Sequence, residues 1–95
     1  RLLTARFMVD HVGEEFDAVI ADVVHFGLFV SVEHPFVEGL VPISKVGREY
    51  FEYDEDVRQL RGTKSGKRYR MADRVRVRCI DANVGDAKVG FELIR

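Results

Sequence analysis

The stretch HFGLFVSVE, residues 25–33, decides the fold, because a glycine precedes a clean alternation of apolar and polar residues. Leu28, Val30 and Val32 share one face of the predicted strand, since successive side chains of a strand point to opposite faces. Phe29 falls on the opposite face, together with a serine and a glutamate. The stretch therefore predicts a strand with one buried face and with a phenylalanine ring facing solvent.

Four further segments have the composition of strands. The first is rich in β-branched residues and only partly alternating, so we expect a strand with a bend or bulge. Another carries Cys79 and two valines on one face and Arg74, Arg76 and Arg78 on the other. The five predicted strands cover residues 16–24, 27–33, 36–41, 74–80 and 88–93. A small, strongly bent all-β chain is most simply closed as a five-stranded barrel, because closure removes exposed sheet edges.

The remaining segments have other patterns. Leu3 and Phe7 lie four residues apart and a glycine follows them, which predicts a short helix over residues 1–13. Residues 42–46 are expected to form one helical turn. Residues 47–70 are polar and aromatic and contain two glycines, so they predict an insertion with at most short, weakly paired strands.

The chain of 95 residues and 10.9 kDa fits one domain with one core. Its single cysteine, Cys79, permits no disulfide within the chain, which favours a reducing, cytoplasmic setting. No apolar run approaches the length of a membrane span, so we expect no membrane contact. Because the chain begins with Arg1, we also expect it to be a piece of a longer protein.

The charges divide between two halves of the sequence. Residues 1–56 carry four Lys/Arg and twelve Asp/Glu, a net charge of −8, whereas residues 57–95 carry eleven and four, a net charge of +7. The basic half is the natural place to look for an anionic partner. The alternative is that folding brings the two halves together, so that their charges offset.

Phe26 and Phe29 are the sharpest candidates for a binding site. Exposed rings beside cations suit single-stranded nucleic acid, because bases stack on the rings while the cations neutralise phosphates. Arg74, Arg76 and Arg78 are candidate cations, and Lys88 could reach the rings from the neighbouring strand. His25 is either a further contact or a plain turn residue. The alternatives are phenylalanines packed in the core and a solvated strand face whose arginines pair with acids of the first half.

No segment has the pattern of a catalytic or metal site. The acidic run over residues 52–56 has neither the spacing of a calcium loop nor a companion acidic cluster, so a hydrated turn is favoured. Residues 62–68 differ from a phosphate-binding loop in glycine spacing, and arginine stands where a magnesium-binding hydroxyl is needed. The histidines lack metal spacing, and no serine or cysteine has a base beside it. We therefore predict no catalytic residue, metal ligand or cofactor in this chain.

Several distinct motifs follow one another along the chain. They are FGLFV at residues 26–30, EGLVPIS at 38–44 and ADRVRV at 72–77. From about Glu15 to Leu93 the chain resembles the S1 RNA-binding domain family. The resemblance implies an S1-type domain over residues 14–95, which is a five-stranded OB-fold barrel that binds RNA. The insertion at 47–70 falls between the third and fourth strands of that barrel.

A narrower resemblance lies in the insertion and in the opening residues. The segments YFEYD at residues 50–54, LRG at 60–62 and SGKRY at 65–69 resemble the extended loop of the carboxyl-terminal domain of bacterial ribonuclease R. Residues 1–13 resemble the helix that leads into that domain from a preceding nuclease domain. The resemblance implies a parent protein that is a 3′→5′ exoribonuclease, a hydrolase of the ribonuclease II type, using Mg²⁺ in a catalytic domain outside this chain.

The same resemblance implies particular RNA contacts. The family's two stacking phenylalanines fall on Phe26 and Phe29, a position usually held by aspartate falls on Asn83, and the basic residue that opens the last strand falls on Lys88. A histidine that contributes in the family is replaced by Pro42, so that contact is absent.

We therefore expect a monomeric module that binds single-stranded RNA and guides it to a catalytic domain elsewhere in the parent nuclease chain. Three alternatives remain open: a protein–protein interaction barrel, an enzyme with a metal at residues 52–56, and an S1 domain of a translation-related protein. The predicted RNA contacts are His25, Phe26, Phe29, Arg76, Arg78, Asn83 and Lys88.

Overall fold

The chain folds into a closed barrel with a small second sheet beside it. The computed structural model describes residues 10–33, 36–83 and 88–94, and for Asn83 and Lys88 it describes the backbone alone. One 3₁₀ turn, Ile43–Lys45, confirms the helical turn predicted there. The strands are β1 (Glu15–Val24), β2 (Gly27–Val32), β3 (Val37–Pro42), β4 (Phe51–Asp54), β5 (Gln59–Gly62), β6 (Arg68–Arg70), β7 (Arg74–Asn83) and β8 (Lys88–Ile94).

Five strands close the barrel in the order β1-β2-β3-β8-β7, which confirms the predicted architecture. Neighbouring strands are antiparallel except β3 and β8, which run parallel and pair at Leu40 and Gly90. The register between β1 and β2 shifts between Ile20 and Asp22, and this irregularity confirms the predicted bend. The bend allows one long strand to pair with β2 on one side and β7 on the other.

Alternate residues of the barrel strands fill a single core. In β2, Val30 is fully buried whereas Phe29 keeps 37% of its surface exposed, so the predicted strand phase is confirmed. Phe91 is the largest fully buried side chain, and Gly39 lies against it. A Cβ atom at Gly39 would lie 2.5 Å from the Phe91 ring and 2.6 Å from the carbonyl oxygen of Val89. The core is thus close-packed where β3 and β8 meet.

Residues 47–70 contain a three-stranded antiparallel sheet, β4-β5-β6, which we call the outer sheet. The prediction of at most weakly paired strands was wrong, because all three strands pair in continuous register. Phe51, Leu60 and Tyr69 of the outer sheet are buried in the same hydrophobic cluster as the barrel core. The insertion does lie between the third and fourth barrel strands, β3 and β7, as predicted.

The predicted helix over residues 1–13 falls mostly outside the described residues, which begin at Asp10. The described part, residues 10–13, forms a turn. Gly13 donates its backbone N–H to the carbonyl oxygen of Cys79 at 2.7 Å, and Cys79 donates its own N–H to Glu14 at 3.0 Å. These two hydrogen bonds start β1 alongside β7.

Cys79 lies on the inner face of β7 and is fully buried, as predicted. Burial is the main cause that raises the pKa of its thiol, so the side chain serves as a small core residue. In the part of the chain that the structure describes, no helix has the length and apolar character needed to span a membrane.

Gly39→Ala is expected to destabilise the fold, because the new methyl group would press on the Phe91 ring and on the backbone of β8. Overpacking of this kind lowers the free energy of unfolding by about 1–3 kcal/mol. The matched control is Gly90→Ala in β8, where the nearest atom would lie 3.6 Å from the new Cβ, in ordinary contact. Urea unfolding followed by circular dichroism measures both variants, and equal unfolding free energies would contradict the close packing at Gly39.

Candidate nucleic-acid interface

Four aromatic rings form a continuous row from β2 to β4. The ring centroids of Phe26 and Phe29 are 6.0 Å apart and the rings are nearly perpendicular, at 88°. His25 lies 5.2 Å from Phe26, and Tyr53 lies 6.4 Å from His25. Phe26 and Phe29, which we call the aromatic pair, keep 45% and 37% of their surface exposed. The structure therefore brings three predicted site residues together and adds Tyr53, which the sequence analysis missed.

The tight turn between β1 and β2 positions the aromatic pair. The carbonyl oxygen of Phe26 accepts a hydrogen bond from the backbone N–H of Ile43 at 2.9 Å. A Cβ atom at Gly27 would lie 2.2 Å from the carbonyl oxygen of Val41, so only glycine lets β3 approach this closely. Pro42 is the direct Cα partner of Gly27. The motif glycine thus fixes the backbone on which both rings are carried.

Arg58 is a cation near the aromatic pair that the sequence analysis missed. Asp22 is the Cα partner of Phe29 across the β1–β2 ladder, and its carboxylate accepts a hydrogen bond from the Arg58 guanidinium at 2.6 Å. This hydrogen bond is the main cause that lowers the pKa of Asp22, and it also raises the pKa of Arg58. Arg58 has a φ angle of 51°, in the left-handed region, so strand periodicity gave no signal for its position.

The predicted arginines of β7 are held in ion pairs at the other end of β1. Arg76 contacts Asp17 at 2.9 Å and Glu15 at 3.5 Å. Arg78 contacts Glu15 at 3.0 Å and Glu92 at 2.8 Å. The structure therefore does not bring these two arginines to the aromatic pair. It supports the alternative in which they pair with acids, and their RNA-binding role stays a prediction.

Asn83 and Lys88 are described as backbone positions only. They are Cα partners at the end of the β7–β8 ladder. Gly90, two residues after Lys88, pairs with Leu40, which in turn pairs with Phe29. The backbone of Lys88 therefore lies about 7 Å along β8 from the position level with Phe29. This placement is compatible with the contacts that the resemblance implies, and the roles of both side chains stay predictions.

An acidic groove of about 1050 Å³ opens beside the row of rings. His25 and Tyr53 line it, and among its lining residues in the described part of the chain the one Lys or Arg is Arg61, which pairs with a glutamate. Asp54 accepts the backbone N–H of Asp56 at 3.0 Å in a turn that begins after β4. The turn predicted over residues 52–56 is therefore confirmed for residues 55 and 56 and was wrong for residues 52–54, which lie in β4. The groove is electrostatically unfavourable for phosphate. Its carboxylates belong to Glu49, Glu52, Asp54, Glu55 and Asp56.

The loop between β5 and β6, which superficially matches a phosphate-binding loop, holds a carboxylate of its own chain. Glu49 accepts hydrogen bonds from the backbone N–H groups of Lys64 and Ser65, at 2.8 and 2.9 Å, and from the Ser65 hydroxyl at 2.6 Å. A Cβ atom at Gly62 would collide with that carboxylate, at 2.4 Å. The loop is followed by a strand rather than a helix, in agreement with the rejection of the phosphate-loop motif.

A protein-family model for the S1 RNA binding domain matches residues 9–93 of the chain. The chain belongs to the S1 RNA-binding domain family. The five-stranded closed barrel is accordingly the OB-fold barrel that the motifs predicted, and that prediction is confirmed. The aromatic pair of this S1 domain lies on the motif FGLFV, within the matched residues.

Ribonuclease R sequences are similar to nearly the whole S1 domain. Ribonuclease R from Aquifex aeolicus is 45% identical over 92 residues, which are 97% of this chain and 13% of that protein. Ribonuclease R from Escherichia coli is 40% identical over 92 residues, which are 97% of this chain and 11% of that protein. The chain thus spans a small part of the length of these relatives, and the narrower resemblance to the ribonuclease R domain is confirmed.

Two solved structures of Mycoplasma genitalium RNase R share the fold. The apo form has a TM-score of 0.90 at 22% identity, over 98% of this chain and 14% of that one. The complex with ribose-methylated single-stranded RNA has a TM-score of 0.89 at 23% identity, over 97% and 14%. Because this coverage includes almost every residue of the S1 domain, the shared fold extends to the outer sheet.

Arg58→Gln is expected to raise the pKa of the Asp22 carboxyl, because it removes the charged hydrogen-bond donor that favours the ionised form. The matched control is Arg61→Gln, which removes a cation from the neighbouring strand that pairs with Glu52 instead. A ¹³C-detected NMR titration of the side-chain carboxyls measures the pKa of Asp22 in each variant. The ion pair beside Phe29 is refuted if Asp22 titrates at the same pH in the Arg58→Gln variant and in the unmodified chain.

Proposed function

We propose that this S1 domain binds single-stranded RNA by stacking nucleobases on the aromatic pair. The observation that carries the proposal is the exposure of Phe26 and Phe29, side by side, on the motif of an RNA-binding domain family. Every base offers a π-face to an aromatic ring, so such a surface tolerates many sequences. His25 and Tyr53 extend the row of rings beyond Phe26 and offer further stacking or edge contacts.

The proposed cations of this interface are Arg58, which precedes β5, and Lys88, which begins β8. Arg58 pairs with Asp22, which is the Cα partner of Phe29. A guanidinium has five N–H donors, so Arg58 can bind Asp22 and a phosphate at the same time. Lys88 is the second proposed phosphate contact and Asn83 a hydrogen-bonding contact, both carried over from the family resemblance. The acidic groove on the Tyr53 side repels the RNA backbone and so favours one direction of approach.

The energetics point to an assisting module. Stacking contributes roughly 1–3 kcal/mol per base, so two rings supply about 2–6 kcal/mol before the cost of ordering the strand. A dissociation constant of 1 μM corresponds to about −8.2 kcal/mol. Even with some phosphate contacts, the isolated domain is therefore expected to bind in the micromolar to millimolar range. Such affinity suits capture and guidance of RNA more than stable storage.

We further propose that the parent protein is a 3′→5′ exoribonuclease of the ribonuclease R type, a hydrolase of RNA degradation that acts in the cytoplasm. The identity of 40–45% to ribonuclease R over nearly the whole domain supports this proposal. In such a parent, the domain is a monomeric unit that hands RNA to a catalytic domain elsewhere in the chain. Hydrolysis there uses Mg²⁺, whereas no cofactor is proposed for the S1 domain itself.

Phe29→Ala is expected to weaken binding of a short oligouridylate about 5- to 150-fold, the equivalent of one lost stacked base. The matched control is Phe36→Ala, which removes a ring that is 58% exposed at the opposite end of β2 and is expected to leave affinity unchanged. Chemical-shift titration measures both affinities and shows whether the fold is retained. Equal affinities for Phe29→Ala and the unmodified domain would overturn the stacking proposal and favour a protein-binding barrel.

A further inference from the structure

A second groove, of about 370 Å³, lies between the outer sheet and the barrel, where β6 passes β7 and the end of β8. We call it the basic groove. Its floor is apolar and its walls are cationic, with a single carboxylate, Asp73, among the described residues. The floor is formed by Tyr69, Val75, Leu93 and Ile94, and the cations are Lys67, Arg68, Arg74 and Arg76.

The cations of the basic groove differ in how far their charge is already neutralised. Arg76 is held by two carboxylates of β1 and contributes little net charge. Within residues 10–33, 36–83 and 88–94, Lys67, Arg68 and Arg74 have no carboxylate within ion-pair distance. Asp73 is itself engaged, since its carboxylate accepts the backbone N–H of Arg70 at 2.9 Å. The groove therefore carries an excess of positive charge.

The side chain of Lys67 shows how the groove suits a nucleotide. Its ammonium group lies 5.5 Å from the centroid of the buried Tyr69 ring, so a cation is held against the floor of the groove. Arg68 and Arg74 are exposed on the adjoining walls. A groove lined by such cations follows the phosphate backbone of a flexible single strand.

The two sides of the outer sheet border grooves of opposite charge. Its β4 side borders the acidic groove, whereas its β6 side borders the basic groove. The two sides are separated by one intervening strand, which is about 10 Å from β4 to β6. Arg74 pairs with Val19 in β1, about 10 Å along that strand from Asp22, the partner of Phe29.

We propose that the basic groove is a second RNA site, which takes the sugar–phosphate backbone of the same strand whose bases stack on the aromatic pair. This inference rests on the proposed function and extends it from one site to a path. Repulsion from the acidic groove and attraction to the basic groove act in the same direction along the outer sheet. A single OB-fold domain occupies about 4–16 nucleotides of a strand, so a long oligonucleotide reaches both sites and a very short one reaches the aromatic pair alone.

The test uses two oligouridylates, of about 4 and about 12 nucleotides, at 0.15 M salt, where exposed charges beyond about 8 Å are screened. The double variant Arg68→Glu, Arg74→Glu reverses two exposed charges, and surface changes of this kind alter stability little. It is expected to weaken binding of the longer strand at least tenfold and that of the shorter strand less than twofold. The slope of log affinity against log salt should become shallower by about 1.4 for the longer strand, at about 0.7 per lost phosphate contact.

The matched control is Lys64→Glu, which reverses a charge in the exposed loop before β6, outside the lining of the groove. It is expected to leave the affinity for both strands within twofold. Equal weakening of both strands by the double variant, or of neither, overturns the second site. A shift of the groove amides by a peptide of about 12 glutamates, with no shift of those amides by RNA alone, also overturns it.

Failure of this inference is distinguishable from failure of the proposed function. Phe29→Ala should weaken binding of both strands, whereas the double variant should weaken binding of the longer strand alone. If the double variant has no effect while Phe29→Ala weakens binding of both strands, the stacking proposal is supported and the second site is refuted. If Phe29→Ala has no effect while the double variant weakens binding of the longer strand, the stacking proposal is refuted and the basic groove is retained as an RNA site.

Discussion

Closure of the barrel is the constraint on which the rest of the structure depends. A closed sheet has one inside, and in β2 that inside is already filled by Leu28, Val30 and Val32. Phe29 therefore stands outside, and the turn at Gly27 carries Phe26 to within 6.0 Å of it. Apolar rings on an outer surface increase the area of hydrocarbon in contact with water, so stability does not account for their place, which agrees with the binding proposed for them.

The fold holds some of the arginines in ion pairs and places other cations in the basic groove. Arg76 and Arg78 of β7 pair with Glu15 and Asp17 of β1 and with Glu92 of β8, so these two arginines serve the barrel wall. Within the described part of the chain, Lys67, Arg68 and Arg74 of the basic groove are among the cations that have no ion pair. Exposed pairs of this kind contribute little to stability, typically below about 1 kcal/mol each, so their main effect is on the surface potential.

Periodicity predicted the parts of the fold that depend on local alternation. The phases of β2 and β7, the bend in β1 and the inward position of Cys79 follow from which residues alternate, and each is confirmed. The outer sheet was underestimated because its strands are three or four residues long, too short for alternation to stand out against charged neighbours. Phe51, Leu60 and Tyr69 are buried by contact with the barrel, and no sequence pattern reports a contact between distant segments.

Some residues of the candidate site could be predicted from the sequence and others could not. His25, Phe26 and Phe29 are close in sequence, and the turn that joins them keeps them close in space. Arg58 reaches Asp22 across 36 positions of the chain, which periodicity cannot foresee.

The shared cluster of barrel and outer sheet also limits how the domain can have been assembled in evolution. Because Phe51, Leu60 and Tyr69 belong to the same buried cluster as the barrel core, cutting out or shortening the insertion would remove part of that core.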